Sequence, residues 1–177
     1  MALEEFSIPK DRVAVIIGPN GGTKKNIEKE TKTKVNVDSQ NGDVTIEAED
    51  AVLVMKAASI VRAIGRGFSP EHAMKLVDDD YYFELINLND ILGKNWKAIQ
   101  AKKGRVIGRE GVIREKIEQD TRCFISVYGK TIGIIGKTEN MEKAIHAVTM
   151  LIQGAEHATV LNYLRDSSPA TEEFEFR

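Results

Sequence analysis

The 177-residue sequence has one cysteine, few aromatic residues and no long apolar run. The single cysteine, Cys123, permits no internal disulfide, and together with three widely spaced histidines it cannot supply the ligands of a zinc site. The longest apolar runs, residues 13–17 and 51–55, are far too short to cross a bilayer, and the first residues lack the basic and apolar regions of a signal peptide. The sequence therefore predicts a protein of the reducing cytoplasm that holds neither metal nor cofactor.

The chain also lacks an overall excess of positive charge, which by itself would argue against a nucleic-acid partner. Its formal net charge is −2, yet residues 10–34 carry seven Lys or Arg against three Asp or Glu, and residues 91–116 carry eight against two. The net charges of these segments are thus +4 and +6, and the remainder sums to −12. Positive charge gathered at two places on an acidic chain is the distribution expected where a polyanion binds.

An internal repeat coincides with these two basic segments. Residues 16–37 align without a gap with residues 106–127. The residues that recur unchanged are Ile17, Gly18, Gly21, Ile27, Glu28, Thr31 and Val37, which correspond to Ile107, Gly108, Gly111, Ile117, Glu118, Thr121 and Val127. A lone Gly-x-x-Gly would mean little, but two copies with matching flanks indicate a duplicated unit of about 80–90 residues.

Both units show the same order of elements, β-α-α-β-β-α. The first has a strand at 6–8, helices at 11–17 and 23–31, strands at 34–38 and 44–48 joined by an Asn-Gly turn, and a long helix at 52–64. The second has a strand at 81–87, helices at 96–107 and 113–121, strands at 124–128 and 131–136, and a final helix from 139 to 164 with a break expected at Gly154. Between the units, Ser69 is expected to cap a connecting helix that starts at Pro70.

This order predicts an α+β protein with two tandem domains, each a three-stranded antiparallel sheet packed against three helices. We expect the first domain at 1–67, a connecting helix and acidic linker at 68–80, the second domain with an extended C-terminal helix at 81–165, and a polar tail at 166–177. The connecting helix and the C-terminal helix are expected to hold the two domains together.

Each Gly-x-x-Gly segment joins two predicted helices, which is an arrangement suited to a backbone phosphate. Glycine permits the tight turn and the close approach of a ligand, and the second helix directs free N–H groups and the positive end of its dipole at that ligand. Apolar residues beyond the loop would then lie beneath the bases. They are Ile17, Ile27, Val35 and Val37 in the first unit, and Ile107, Ile117, Ile125 and Val127 in the second.

With this loop and this element order, the sequence resembles the KH domain family in its eukaryotic-style type I form. The loop of that family clamps about four nucleotides of a single strand. The resemblance implies RNA-binding residues in both units: Gly18, Pro19, Asn20, Gly21, Lys24, Lys25 and Ile27 in the first, and Lys102, Lys103, Arg105, Ile107, Gly108, Arg109, Glu110, Gly111, Arg114, Lys116 and Ile117 in the second. More cations surround the second loop, so we expect the second unit to be the principal binder.

The loops depart from the KH pattern at one shared position. Typical KH repeats have an aliphatic residue three positions after the second glycine, where this chain has Lys24 and Arg114. Basic residues there favour contacts to phosphates, which position a nucleic acid without reading its sequence. The interior of the first loop is neutral, whereas the second carries Arg109 and Glu110; the anion should weaken phosphate binding unless it points away or pairs with an arginine.

Three longer segments narrow the resemblance to the partner-of-Nob family of ribosome-assembly proteins. They are Gly-Phe-Ser-Pro-Glu-His-Ala at 67–73, Lys-Lys-Gly-Arg-Val-Ile-Gly-Arg-Glu-Gly at 102–111 and Leu-Asn-Tyr-Leu-Arg at 161–165. Because its first predicted strand lies close to residue 1, the sequence resembles the compact archaeal members of this family. The resemblance implies a non-enzymatic, cytoplasmic protein that binds the 3′ region of pre-16S ribosomal RNA as a single strand. It also implies two protein partners, the endonuclease that trims that end and the alpha subunit of the initiation factor that carries initiator tRNA; we expect a monomer.

Other interpretations compete with this one. The main alternative is a KH-fold protein-interaction scaffold with weak RNA affinity, which the neutral first loop and Glu110 favour. An ATPase is disfavoured, because Thr23 and Lys25 stand where a phosphate-binding loop needs glycine and a magnesium-binding hydroxyl.

Trp96 is interpreted as a core anchor of its helix, with a base-stacking platform as the alternative. The aspartates at 78–80 are interpreted as a solvated linker end in preference to a cation site.

Overall fold

The computed structural model describes residues 1–166, so the predicted polar tail lies, apart from Asp166, outside the described residues. The first half contains six regular elements. They are strand β1 (Ala2–Ser7), helices α1 (Val13–Ile17) and α2 (Gly22–Thr31), strands β2 (Lys34–Val37) and β3 (Asp43–Ala48), and helix α3 (Ala51–Gly65). A short 3-10 turn, Lys10–Arg12, precedes α1, and the helix predicted over 11–17 is therefore part 3-10 and part α.

The second half repeats this order with additions. It consists of strand β4 (Tyr81–Asn87), helices α5 (Leu88–Leu92), α6 (Trp96–Ile107) and α7 (Val112–Thr121), strands β5 (Phe124–Tyr128) and β6 (Thr131–Lys137), and helices α8 (Thr138–Ile152) and α9 (His157–Asp166). Helix α4 (Pro70–Ala73) and a 3-10 turn (Met74–Val77) form the linker, and the Ser69 hydroxyl accepts a hydrogen bond from the His72 N–H at 3.3 Å, as the capping prediction requires. Helix α5 was not predicted.

The strands form two antiparallel three-stranded sheets with the orders β1-β3-β2 and β4-β6-β5. In each sheet the last strand in sequence is the central one, and a long helix, α3 or α8, follows it and packs against its own half. The prediction of an α+β fold with two repeated units is confirmed.

The recurring residues of the repeat fasten the second helix of each unit to the strand that follows. Glu28 accepts a hydrogen bond from the Val35 N–H at 2.9 Å, and Glu118 accepts one from the Ile125 N–H at 2.8 Å. A second recurring bond lies within each helix: the hydroxyl of Thr121 donates to a carbonyl of α7, and that of Thr31 donates to a carbonyl of α2. Several residues of the repeat therefore recur because they stabilise the fold of each unit.

The outer face of the second sheet is covered by the first domain and the linker. Every residue of β6 except Lys137 is buried. Gly133 and Ile135 face away from the helices of their own domain, and a Cβ atom on Gly133 would lie only 2.7 Å from Cε2 of Phe68. The ring of Phe68, in the linker, also meets the ring of Phe83 edge-on at 6.0 Å. The two domains thus share one apolar seam along β6.

Polar contacts close the rim of this seam. Arg12 donates to the carbonyls of Ile64 and Phe68, both at 2.8 Å, so the start of α1 is tied to the end of α3 and to the linker. The Ser126 hydroxyl donates to the Arg66 carbonyl at 2.9 Å, which joins β5 to the first domain. These bonds join side chains to main-chain carbonyls at the end of α3 and in the linker.

The C-terminal helix does not join the two domains, so that expectation is wrong. Helix α9 packs on α7 and α8, and Val160 and Leu164 lie in the core of the second domain. A turn at residues 153–156 separates it from α8, in agreement with the break expected at Gly154.

The aspartate run at the end of the linker is partly engaged in a structural contact. The ammonium group of Lys56 lies 2.6 Å from a carboxylate oxygen of Asp79 and also donates to the Val77 carbonyl at 2.9 Å. Within residues 1–166 no group of His, Cys, Asp and Glu side chains is arranged to hold a metal ion. Across the same residues, no helix combines the length and apolar character needed to span a membrane.

Replacing Phe68 tests the seam. We expect Phe68→Ala to lower the free energy of unfolding by about 3 kcal/mol, because it empties a site that is only 2% exposed between the domains. Tyr82→Ala is the control, since Tyr82 is an aromatic residue of the second sheet that is 55% exposed. Urea unfolding followed by circular dichroism measures both, and equal losses of stability in the two variants would contradict the seam.

Candidate nucleic-acid interface

The two glycine loops have matching backbone conformations. In the second loop, Gly108, Glu110 and Gly111 have φ angles of 73°, 55° and 78°. The first loop has 72°, 54° and 72° at the corresponding positions. Three of the four loop residues thus have positive φ, a region that most side chains avoid and that glycine enters freely.

The two glycines of each loop serve different purposes. A Cβ atom on Gly108 would lie 2.8 Å from Cβ of Ile113, and one on Gly18 would lie 2.7 Å from Cβ of Thr23. The first glycine therefore lets the loop pack against the helix that follows. A Cβ atom on Gly111 would meet no atom of the described chain within 4 Å, so the second glycine borders open space at the start of α7.

That open space lies at the N-terminus of α7, and both α2 and α7 begin directly after the second glycine of their loop. Each helix has ten residues, and among residues 1–166 no side chain caps either one. The N–H of Val112 closes the second loop by donating to the Arg109 carbonyl. The amides of the next turn keep the positive end of the helix dipole directed outward, an arrangement that favours an anion.

The charged side chains predicted around the second loop differ in how free they are to meet a ligand. Arg109 and Glu110 are exposed, and neither forms an ion pair in the part of the chain that the structure describes. Lys116 pairs with Asp120 at 3.0 Å on an exposed helix face, a contact that a phosphate could displace. Arg105, by contrast, is half-buried and donates to the Ala155 carbonyl, so its guanidinium group braces the turn between α8 and α9.

The two basic residues that replace the usual aliphatic residue are both half-buried. Lys24 lies 3.4 Å from Glu28 in the next turn of its helix. The Nε atom of Arg114 is buried and has no hydrogen-bond partner among residues 1–166. Both side chains lie on the flank of the helix, and whether they reach a phosphate stays a prediction.

The predicted contacts of Ile27 and Ile117 with RNA are wrong. Both side chains are fully buried, and Val35 and Ile125 are buried beside them, so none of these four can lie beneath a base. Their helices turn this face toward the sheet, because it carries the apolar residues at helical spacing. Ile17, Val37, Ile107 and Val127 are half-buried, and of the predicted apolar floor only these remain.

The expectation that Trp96 anchors the core is also wrong. Its side chain is 53% exposed at the first position of α6, and the ammonium group of Lys103 lies 5.9 Å from the ring centroid. Val112, which immediately follows the second loop, is 56% exposed and was not singled out from the sequence. Its position directly after Gly111 is the feature of the sequence from which it could have been predicted as a residue of the interface.

Cys123 offers no nucleophile. The thiol is buried in the second core, and this burial raises its pKa, which disfavours the reactive thiolate. Its Sγ contacts the Thr121 carbonyl at 3.6 Å. The residue therefore packs as a small apolar side chain.

Comparison with known proteins supports the arrangement just described. Residues 3–63 match a family model described as a KH domain, and residues 82–169 match the PNO1 second-domain model, described as a eukaryotic-type KH domain of type I. The KH domain-containing protein MJ0443 of Methanocaldococcus jannaschii is 47% identical over 167 residues, which cover 92% of this chain and 73% of that protein. The pre-rRNA-processing protein PNO1 of Debaryomyces hansenii is 31% identical over 66% of this chain, and the match spans 46% of its length.

Solved structures agree with the fold as well. The crystal structure of Dim2p from Pyrococcus horikoshii has a TM-score of 0.86 and 47% identity, and the match covers 94% of this chain and 99% of that one. The same species provides a complex of a/eIF2alpha, aDim2p and rRNA, with a TM-score of 0.85 and 47% identity over 93% of both chains.

The different tasks of the two loop glycines can be separated by mutation. We expect Gly111→Ala to cost about 1–2 kcal/mol in the free energy of unfolding, because only the positive φ angle opposes the new methyl group. Gly108→Ala should cost more, since the methyl group would also collide with Ile113. Urea unfolding of both variants gives the comparison, and a Gly108→Ala variant as stable as Gly111→Ala would contradict this account of the loop.

Proposed function

The chain belongs to the partner-of-Nob (PNO1/Dim2) family of tandem KH-domain proteins, and we propose that it binds single-stranded ribosomal RNA as an assembly factor of the small ribosomal subunit. More specifically, its ligand is the 3′ region of pre-16S rRNA. The protein acts by holding this strand and not by catalysis. The observation that carries the proposal is the second glycine loop, where an uncapped helix N-terminus and an exposed arginine share one open surface.

This loop supplies what a sugar-phosphate backbone requires. The α7 amides and the Arg109 guanidinium group can both donate hydrogen bonds to phosphate oxygens. The absence of a Cβ atom at Gly111 leaves room for the strand to approach the main chain. Such contacts hold a strand without selecting its bases, so the choice of target depends on groups beyond the loop.

The relatives support the choice of target. One relative is named a pre-rRNA-processing protein, and one solved structure is a complex of a Dim2p with rRNA and a/eIF2alpha. We propose the corresponding partners for this chain: the alpha subunit of the initiator-tRNA-carrying factor, and the endonuclease that trims the rRNA end. We further propose a cytoplasmic monomer with domains at 1–67 and 81–165, joined by the linker at 68–80.

A second candidate function is a protein-interaction scaffold with weak RNA affinity of its own. The first loop favours it, because Pro19 and Asn20 are uncharged and Lys24 is engaged with Glu28. We therefore assign RNA binding chiefly to the second domain and leave the first domain as the better candidate for a protein contact.

RNA binding can be measured by fluorescence anisotropy of a labelled single strand that matches the 3′ end of small-subunit rRNA. A scrambled strand and a duplex serve as competitors. We expect preference for the cognate strand and a loss of affinity with rising salt, with a slope of about −0.7 in log–log form for each phosphate contacted. Absence of binding at low salt would favour the scaffold.

Paired substitutions assign the binding to a loop. We expect R109D/E110D to lower RNA affinity at least tenfold, because an anion replaces the exposed cation beside the α7 amides. The control is P19D/N20D, which changes the net charge by the same amount, −2, at the matching positions of the first loop and should cost less. Both variants should keep the wild-type melting temperature, since these side chains are exposed. Equal losses of affinity would contradict a dominant second loop.

A further inference from the structure

The second domain contains an insertion that the first lacks. Ser7 ends β1 and is 11 positions before Gly18, whereas Asn87 ends β4 and is 21 positions before Gly108. The extra residues form α5 and lengthen the helix that leads into the loop from five residues in α1 to twelve in α6. Leu88 of α5 and Ile99 of α6 are fully buried in the second core, so the packing of the domain explains one side of the insertion. Ile91 and Trp96 of the same insertion are exposed, and the packing does not explain them.

The insertion places an exposed tryptophan at the start of α6. Trp96 is the only tryptophan of the chain and is 53% exposed. Asn95 caps the helix by accepting a hydrogen bond from the Ala98 N–H at 3.2 Å, so this end of α6 is fixed without help from the indole. Tryptophan is one of the residue types enriched among those that carry most of the binding energy at interfaces.

The indole lies on the same face of α6 as the residue that enters the loop. Trp96, Gln100, Lys103 and Ile107 are separated by four, three and four positions, which places them along one side of the helix. The opposite side is occupied, because Arg105 bonds to Ala155 there. The stripe from Trp96 to Gly108 spans about 18 Å along the helix axis and ends at the glycine loop.

Positive charge surrounds this stripe. Lys94 and Lys97 are exposed on either side of Trp96, and the Lys103 ammonium lies over its ring. Asp90, in α5, is the acidic residue nearest in sequence. An aromatic face bordered by lysines is the combination that non-sequence-specific single-strand binders use, with the lysines on the backbone and the ring against a base.

We propose that Trp96 is a base-stacking platform that extends the RNA site of the second domain along α6. This inference rests on the proposed function and concerns the same single strand that the glycine loop holds. A base would stack on the face of the indole away from Lys103, while the lysines contact the neighbouring phosphates. The strand bound by the second domain is then longer than the four or so nucleotides that the loop alone clamps.

The single tryptophan provides a direct test in the unmodified protein. Unlabelled tetranucleotide and decanucleotide strands of the rRNA 3′ end are titrated while indole fluorescence is recorded, and anisotropy of the same strands carrying a label reports binding independently. We expect the decanucleotide to quench the fluorescence over the concentration range in which its anisotropy saturates. The tetranucleotide, which fills the loop only, should bind without comparable quenching. Titration of N-acetyltryptophanamide corrects for absorption by the RNA.

Substitutions complete the test. W96A should weaken binding of the decanucleotide about tenfold and leave the tetranucleotide unchanged, whereas W96F, which keeps an aromatic face, should retain most of the affinity. Tyr82→Ala removes an equally exposed aromatic residue from β4 and should have no effect. Saturating anisotropy with constant indole fluorescence and an unaffected W96A variant would overturn the platform while leaving the proposed function intact. Absence of any anisotropy change would overturn both.

Discussion

Burial of β6 on both faces is the constraint from which the arrangement of the two domains follows. Ile132 and Ile134 face the helices of their own domain, while Gly133 and Ile135 face outward and cannot be left in water without exposing a broad apolar surface. The first domain and the linker supply the cover. The first sheet has no such requirement, because its outer face carries polar residues such as Glu5, Thr45 and Asn36 at matched positions. Two domains with one fold therefore pack asymmetrically.

This asymmetry fixes how the two glycine loops are presented. Each loop is held by its own helix pair. The Arg12 hydrogen bonds tie α1 to the end of α3 and to the linker, and Phe68 of the linker packs against the second sheet. A strand or protein that contacts both domains would thus meet two preset surfaces and would not have to order a flexible linker, which reduces the entropic cost of binding. The shared seam also means that the outer face of β6, the central strand of the second sheet, is not available to a ligand.

The sequence predicted the fold well because its repeat consists of structural residues. Glu118 recurs because every copy of the unit needs the same bond from helix to strand, and Thr121 recurs because its hydroxyl bonds to a carbonyl in the last turn of the helix. The same property misled the prediction of the site: an apolar residue such as Ile117 recurs for packing, and the pattern alone does not show whether an apolar face meets the sheet or a ligand. Burial decided that question. Helix α5 escaped prediction because five residues are too few to show a period, and Trp96 was misassigned because an aromatic at helical spacing is usually core.

The features that distinguish the second domain from the first are consequently the residues in which the two units differ. The charges of Arg109 and Glu110 nearly cancel, so the attraction of a phosphate to the loop also depends on the α7 amides. The dipole of a helix carries no net charge, and its effect is confined to the first turn. A loop of this kind orients a strand more effectively than it retains one. Retention has to come from contacts distributed along the strand, and the side of α6 that leads from the loop carries lysines and an exposed indole, whereas α1 ends after five residues. The length of α6 therefore adds to the exposed arginine of the second loop a further feature that makes the second domain the stronger candidate for holding RNA.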